Sequence, residues 1–460
     1  MPEIKDLYKG IPRMDELMED MAKARPGASA RLLKDAVNAE LSALREDIAK
    51  GLISDLPARR IILDAALARL DESELPSLRP VINGTGIIIH TNLGRSCLSD
   101  RAAAAVYEVA KSYNTLEYDV EAGERGSRHS HIEELICSVS GAEAAMVVNN
   151  NAGAVLLILS ALAAGGEVIV SRGELVEIGG SFRIPDIMEA CGCTLREVGT
   201  TNKTHAEDYE AAINEKTKAL LKVHTSNYRI VGFSRDLSLS EMKALGEKHG
   251  LPVIQDLGSG CFIDLGNYGI EAEPTVQESV KSAADIISFS GDKLLGSAQA
   301  GIIVGKKHYI DLLKKHPLAR ALRVDKMTLA ALRETLRAYL DEGRADREIP
   351  SLAMIAETPQ SLKTKAEAAI ELLKSKGFRV SLCELEDQVG GGSLPNQMLK
   401  GWGIEIEPVG MSVNRLEELL RKRSIPIIGR INKDRYLLSV RTLRDGDLTK
   451  IAEALGEIFG

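Results

Sequence analysis

Leu33, Val37, Leu41, Leu44 and Ile48 recur every three or four residues, which places one apolar face on a helix. Pro26-Gly27 separates this helix from an earlier one around Met14 to Ala24, Gly51 stops it, and a third helical segment covers Leu56 to Leu70. From about Val81 the texture changes. Short apolar runs at 144–148, 167–170, 219–223, 252–255, 285–289 and 301–304 read as strands, with helical patterns such as 152–164 and 238–249 between them. That alternation predicts a mostly parallel α/β sheet, in which ligands collect at the carboxyl ends of the strands. Beyond Leu329 a charged helical stretch to Glu342 leads to a helix over 360–376, strands near 378–382, 404–407 and 436–440, and a helix over 413–423. "GGGSLP" (Gly390–Pro395) reads as a loop inside this part. The expected division is a helical domain over 1–75, a core domain over 76–328 and a smaller α/β domain over 329–460.

Composition narrows the class. Of 460 residues, 44% are hydrophobic and 27% charged, as in an ordinary folded protein. A net charge of -8 and an aromatic content of 4% exclude a surface built wholesale for nucleic acid, so an RNA partner would have to be held by local patches. The helical domain itself is mildly acidic, with 12 Lys/Arg against 15 Asp/Glu. Six scattered cysteines fit a reducing cytoplasm. Neither Cys191-Gly192-Cys193 nor the pair His129 and His131 has the further ligands a zinc site needs, so no metal is expected. No signal segment opens the chain, and its longest apolar run, 152–164, is too short to span a bilayer. A cytoplasmic protein without membrane contact is expected.

The dinucleotide and P-loop glycine patterns are absent. Instead, Lys293 follows an apolar strand in "SFSGDKLLGSAQAGIIVG", where it can form a Schiff base with an aldehyde cofactor or simply be a solvated loop lysine. Asp256 closes another strand; it suits a protonated pyridine nitrogen, and equally a helix cap. Asn151, Ala152 and Gly153 open a helix after a strand, either as a phosphate cradle or as a well-capped helix, with Ser290 able to add a hydroxyl. The order phosphate seat, carboxylate, lysine is that of a fold-type I pyridoxal phosphate enzyme of the aspartate aminotransferase-like class.

Several segments then resemble one family, bacterial selenocysteine synthase (L-seryl-tRNA(Sec) selenium transferase). They are "VINGTGIIIHTNLGRSCLS", "YDVEAGERGSRHSHIEELI", "VNNNAGAV", "SRGELVEIGGSFRIPDIM", "VGTTNKTH", "KVHTSNYRIVGF", "DLGSG", the lysine segment, "GGGSLP" and "PIIGRINKDRYLLSVRTL". The likeness covers nearly the whole chain, including "IPRMDELM" near its start. Gly84, Ser297-Ala298 and Lys203 depart from the residues expected there.

The resemblance implies pyridoxal 5'-phosphate on Lys293 and seryl-tRNA(Sec) as substrate. Water would be lost from the serine to give an aminoacrylyl-tRNA, and selenium from selenophosphate would then add. It also implies an anion site at Arg95, Arg320 and Arg323, within a run over 306–326 that carries seven Lys/Arg against two Asp. Arg128 is expected near the site. His90 is either an acid/base or a packed histidine, and His224, Ser226 and Asn227 either line the cofactor ring or cap a loop. A ring of dimers, a homodecamer, is the assembly the resemblance implies, with the amino-terminal domain reaching the tRNA. The competing readings are a related pyridoxal phosphate lyase acting on a free amino acid or amino sugar phosphate, and an inactive tRNA-binding scaffold.

Overall fold

The Ala144–Val148 segment is apolar and buried at all five positions. A strand covered on both faces by helices reads as such a continuous run rather than an alternation. The same holds for most of the sheet it belongs to. The computed structural model describes residues 4–178, 182–270, 273–341 and 343–460; the segment Ser171–Met188 singled out above includes 179–181, which lie outside the described residues.

The strands in chain order are β1 (Ala144–Val148), β2 (Glu167–Ser171), β3 (Thr194–Val198), β4 (Thr217–Val223), β5 (Val253–Gly258), β6 (Ile286–Ser290) and β7 (Gly301–Gly305). They form one sheet in the order β1-β7-β6-β5-β4-β2-β3. β7 runs antiparallel to both its neighbours, β1 and β6, while the remaining pairs are parallel. Alternate side chains feed two cores. Met146, Val148, Val170, Leu221, Ile254 and Ile303 pack with Ala154, Leu157 and Ile158 of the Asn151–Leu162 helix. Val147, Ile287, Phe289, Ile302 and Val304 face the opposite way, onto Ile132, Ile136 and the Leu329, Leu332 and Leu336 side of the Lys326–Ala338 helix. β3, which the hydrophobic pattern does not predict, is the edge strand, with mostly exposed positions in "TLREV".

A second sheet holds β8 (Val380–Gly390), β9 (Ser393–Ile406), β10 (Arg430–Asn432) and β11 (Arg435–Ser439) in the order β8-β9-β11-β10. β8 and β9 are far longer than the short strand signals near 378–382 and 404–407, because their middle parts are polar and partly exposed. The "GGGSLP" segment is the turn of this hairpin and the start of β9.

The chain separates into two compact units, one of residues 1–82 with 415–428, the other of residues 83–414 with 429–460. In the first, helices Ile4–Gly10, Met14–Ala24, Ala30–Ala49 and Arg59–Glu74 bury Leu17, Met21, Val37, Leu41, Ile48 and Leu70 in one core. Ion pairs Arg25–Asp71 (2.7 Å), Arg59–Asp20 (2.7 Å) and Arg69–Glu40 (2.6 Å) link these helices at the surface. No described helix is long and apolar enough to cross a membrane.

Candidate active site

Four carboxyl ends of strands converge. After β1, Asn150 caps the Asn151–Leu162 helix, its Oδ1 accepting from Gly153 N at 2.8 Å. The first helical backbone bond runs from Ala154 N to Asn150 O, so Asn151 and Ala152 keep N–H groups with no acceptor in the helix. β5 carries Asp256 near its carboxyl end, next to a register shift before Gly258 (φ 70°) of the kind that re-aims side chains. β4 is followed by His224, whose N donates to Asp256 O at 2.9 Å. β6 ends at Ser290, and Lys293 lies in the turn to β7.

That turn is tightly held. Gly291 N donates to Ala300 O (2.9 Å), Ser297 N to Gly291 O (2.8 Å) and Leu294 N to Ser259 O (3.1 Å). The Lys293 carbonyl accepts from Ser96 Oγ at 2.7 Å and from Gly296 N at 3.0 Å. A Cβ on Gly291 would stand 2.5 Å from Ala298 O, so this turn admits only glycine there. Lys293 is thus a fixed, buried lysine at the carboxyl edge of the sheet.

A cavity of about 270 Å³ opens on it. Asp256, Asn151, His224 and Ser226 line it together with Lys293. Ala152, Ser290 and Arg95 complete the predicted residues that meet there. Asn151 Nδ2 donates to Asp256 Oδ1 at 2.8 Å, so this side chain serves the carboxylate. Burial pushes the Asp256 carboxyl above its ordinary range, against the Asn151 hydrogen bond and the Lys293 charge. Burial likewise lowers Lys293 below its ordinary value, opposed by Asp256 and assisted by the Arg95 charge. The low-dielectric pocket therefore moves both groups towards their neutral forms.

Other predicted residues fall elsewhere. Gly153 does not line the cavity, since its N–H is committed to the Asn150 cap. Asn227 lies beside it, donating Nδ2 to Glu177 O at 3.0 Å. His90 is a cap: its Nδ1 accepts from Asn92 N (3.2 Å) at the start of the Thr91–Leu93 turn, and burial lowers its pKa. Arg128 is buried and shared between Glu117 (2.5 Å) and the Val324 carbonyl. Arg323, bridged through its backbone to Val148, turns its guanidinium to Glu117 at 3.3 Å, and Arg320 is exposed on the Pro317–Ala321 helix. Much of the basic run is engaged in structure: Lys306 with Asp285 (2.7 Å), Lys307 with Asp311 (3.1 Å) and Lys314 with Glu133 (2.6 Å).

The structure also adds residues. Asp292, next to Lys293, accepts from Arg95 Nη1 at 2.7 Å, and Arg95 holds a left-handed φ of 62°. Glu273, buried in a loop, meets His224 Nε2 at 3.0 Å. Its distance in sequence gave no signal. The Gly391-Gly392 turn also reaches Lys293. A neighbouring cavity of about 220 Å³ shares His224, and there Lys222 is paired with Glu174 (3.0 Å) and Asp236 (3.2 Å).

The family described as L-seryl-tRNA selenium transferase matches residues 81–444. The chain belongs to this family. It is 49% identical to the L-seryl-tRNA(Sec) selenium transferase of Geobacter sulfurreducens, over 98% of this chain and 99% of that one. The protein of the same name from Geobacter metallireducens is 50% identical, again over 98% and 99%. That from Caldanaerobacter subterraneus subsp. tengcongensis is 49% identical over 99% of each. Among solved structures, D-glucosaminate-6-phosphate ammonia-lyase superposes with a TM-score of 0.58 at 23% identity, covering 83% of this chain and 96% of that chain. The fold is that of the fold-type I pyridoxal phosphate enzymes, as the sequence led us to expect.

Proposed function

We propose that this L-seryl-tRNA selenium transferase family member converts L-seryl-tRNA(Sec) to L-selenocysteinyl-tRNA(Sec), with pyridoxal 5'-phosphate as cofactor and selenophosphate as selenium donor. The observation that carries the reading is the near-full-length match to relatives of that name, set beside a cavity lined by Lys293 and Asp256. The free-substrate lyase shares the fold alone.

The cavity fits the cofactor. Ser226 Oγ, Asn151 Oδ1 and Asp292 Oδ1 are buried there without hydrogen-bond partners, and buried polar atoms require partners. Asp256 would pair with a ring nitrogen, the Asn151 and Ala152 N–H groups with Ser290 would hold a phosphate, and Lys293 would anchor the aldehyde. Bound this way, pyridoxal phosphate supplies an electron sink for negative charge at the carbon beside an amine.

The chain's own groups do the rest. Lys293 Nζ, as a free amine, would take the proton from the serine Cα; its lowered pKa favours the neutral, proton-accepting form. Arg95 offers a guanidinium to the phosphate of the donor, with Asp292 holding it at the cavity wall. Arg320 and Arg323 lie outside the cavity lining and act from its rim or on a neighbouring copy in a ring-shaped homo-oligomer. The helical unit over 1–75 reaches the tRNA, and six unpaired cysteines agree with a cytoplasmic setting.

The test is single-turnover conversion of seryl-tRNA(Sec) with selenophosphate, followed by identification of the attached amino acid. Selenocysteine is expected. Unchanged serine on protein that carries the cofactor would overturn the reading in favour of a free-substrate lyase.

A further inference from the structure

The long hairpin of β8 and β9 carries its turn to the reactive lysine. Gly390 pairs with Ser393, leaving Gly391 (φ 66°) and Gly392 (φ 71°) as the two turn residues. Two consecutive positive φ values suit a tight hairpin and the twist of its strands. The glycines nevertheless have unlike surroundings. A Cβ on Gly390 would stand 2.4 Å from Ile87 Cγ2, and one on Gly391 would stand 2.5 Å from Ile89 Cγ2 and 2.8 Å from Ile89 O. Packing excludes a side chain at both.

Gly392 differs. A Cβ there would meet only Asn227 Cβ at 3.6 Å and Lys293 Nζ at 3.9 Å, both ordinary van der Waals contacts. Its φ is one that asparagine also adopts. Packing does not demand glycine here; only the positive φ of the turn favours it. What the missing side chain leaves is open volume against the lysine nitrogen.

We propose that Gly392 is a specificity-determining residue, whose bare Cα keeps open the space beside Lys293 Nζ that an aminoacyl ester needs and a small amine does not. The inference rests on the substrate reading above and deepens it. A serine esterified to a ribose would have to bring its amine to the aldehyde-derived carbon held by Lys293 Nζ, while a nucleotide trails from its carboxyl carbon, only two bonds from that amine. A free amine brings no such group. A side chain at position 392 therefore obstructs the ester and passes the small amine.

The experiment uses full-length, cofactor-loaded protein, parent and Gly392→Asn. Three quantities are read: cofactor absorbance, the rate at which methoxyamine reacts with the bound cofactor, and single-turnover conversion of seryl-tRNA(Sec). For Gly392→Asn the expected result is unchanged absorbance, a methoxyamine rate within about twofold of the parent, and conversion at least tenfold slower. Conversion within twofold of the parent overturns the inference while leaving the substrate reading intact. A parent that does not convert seryl-tRNA(Sec) overturns the substrate reading, and the inference with it. Equal slowing of methoxyamine and seryl-tRNA(Sec) also overturns the inference, because it makes the position a general gate. If Gly392→Asn does not hold cofactor, Gly392→Ala, which adds one methyl, is read by the same criteria. Loss of cofactor from both shows the position to be structural and overturns the assignment.

Discussion

Asn151 Nδ2 lies 2.8 Å from Asp256 Oδ1 and joins two strand ends that are 105 residues apart in sequence. The carboxylate is buried, and burial favours its neutral form. The amide donor opposes that, keeping the charge that a protonated ring nitrogen requires. A hydrogen bond to a charged group contributes about 1.5–3 kcal/mol. Asn151→Ala should therefore weaken cofactor affinity by roughly ten- to hundredfold, measured by absorbance titration of the cofactor-free protein. Asn151→Asp should do worse, because it sets a second carboxylate against the first. Full affinity in both variants would remove Asn151 from the site.

Lys293 gives a pH prediction. Only the neutral amine attacks an aldehyde, and burial lowers its pKa from the ordinary 10.5. The rate of cofactor capture by cofactor-free protein should rise with pH through a midpoint below that value. The Arg95 charge contributes to the lowering, and Arg95 also neutralises Asp292. Arg95→Met removes one nearby cation and frees one nearby anion, and both changes favour the protonated lysine. Its capture midpoint should move up. A downward or absent movement would mean that Arg95 does not act electrostatically on Lys293.

Glu273 holds His224 Nε2 at 3.0 Å, while the His224 backbone N donates to Asp256 O. Loss of such a partner leaves a part-buried ring nitrogen unsatisfied, towards the lower end of about 1–3 kcal/mol. Glu273→Leu should lower single-turnover rate and cofactor affinity together, roughly tenfold or more. Glu273→Gln keeps a hydrogen-bonding partner and should recover most of both. Equal loss in the two variants would point to the charge rather than to the positioning of the ring.

Much of this site could be read from the chain. Lys293, Asp256 and Asn151 each follow an apolar run, and burial on both faces makes such runs conspicuous. β3 was missed because an edge strand with exposed positions lacks that signature. The middle of β8 and β9 was missed for a different reason: the inward face of "CELEDQVG" includes the charged Asp387, which breaks the apolar alternation although it is buried. That omission hid the turn at Lys293. Arg128 and Arg323 illustrate the opposite limit: an arginine in a telling motif can be engaged by one glutamate, Glu117, whose position no local pattern reveals.

The arm that carries this turn is braced by a buried charge. Asp387 of β8 and Arg441 are fully buried, with Asp387 Oδ2 accepting from Arg441 Nε at 3.0 Å. The same guanidinium donates to the carbonyls of Met354 (2.8 Å) and Lys400 (2.7 Å), tying the Pro350–Ala356 helix to β9. Asp387 Oδ1 also accepts from Arg430 Nη2 at 3.0 Å, but Arg430 is partly exposed. Space around the carboxylate is tight, since a Cβ on Gly401 would stand 2.0 Å from its Oδ2. Removing one partner of a buried pair strands the other and costs about 3–5 kcal/mol, against about 0–1 kcal/mol for an exposed pair. Asp387→Ala should therefore lower unfolding free energy by about 3–5 kcal/mol in denaturant titration, and Arg430→Ala by roughly 1 kcal/mol. Because the turn at Gly392 lies only a few residues beyond Asp387 in the same strand pair, Asp387→Ala should also release cofactor faster, whereas Arg430→Ala should not. Two variants with equal effects on stability would show that the arm is held by its hairpin alone, with the buried charge idle.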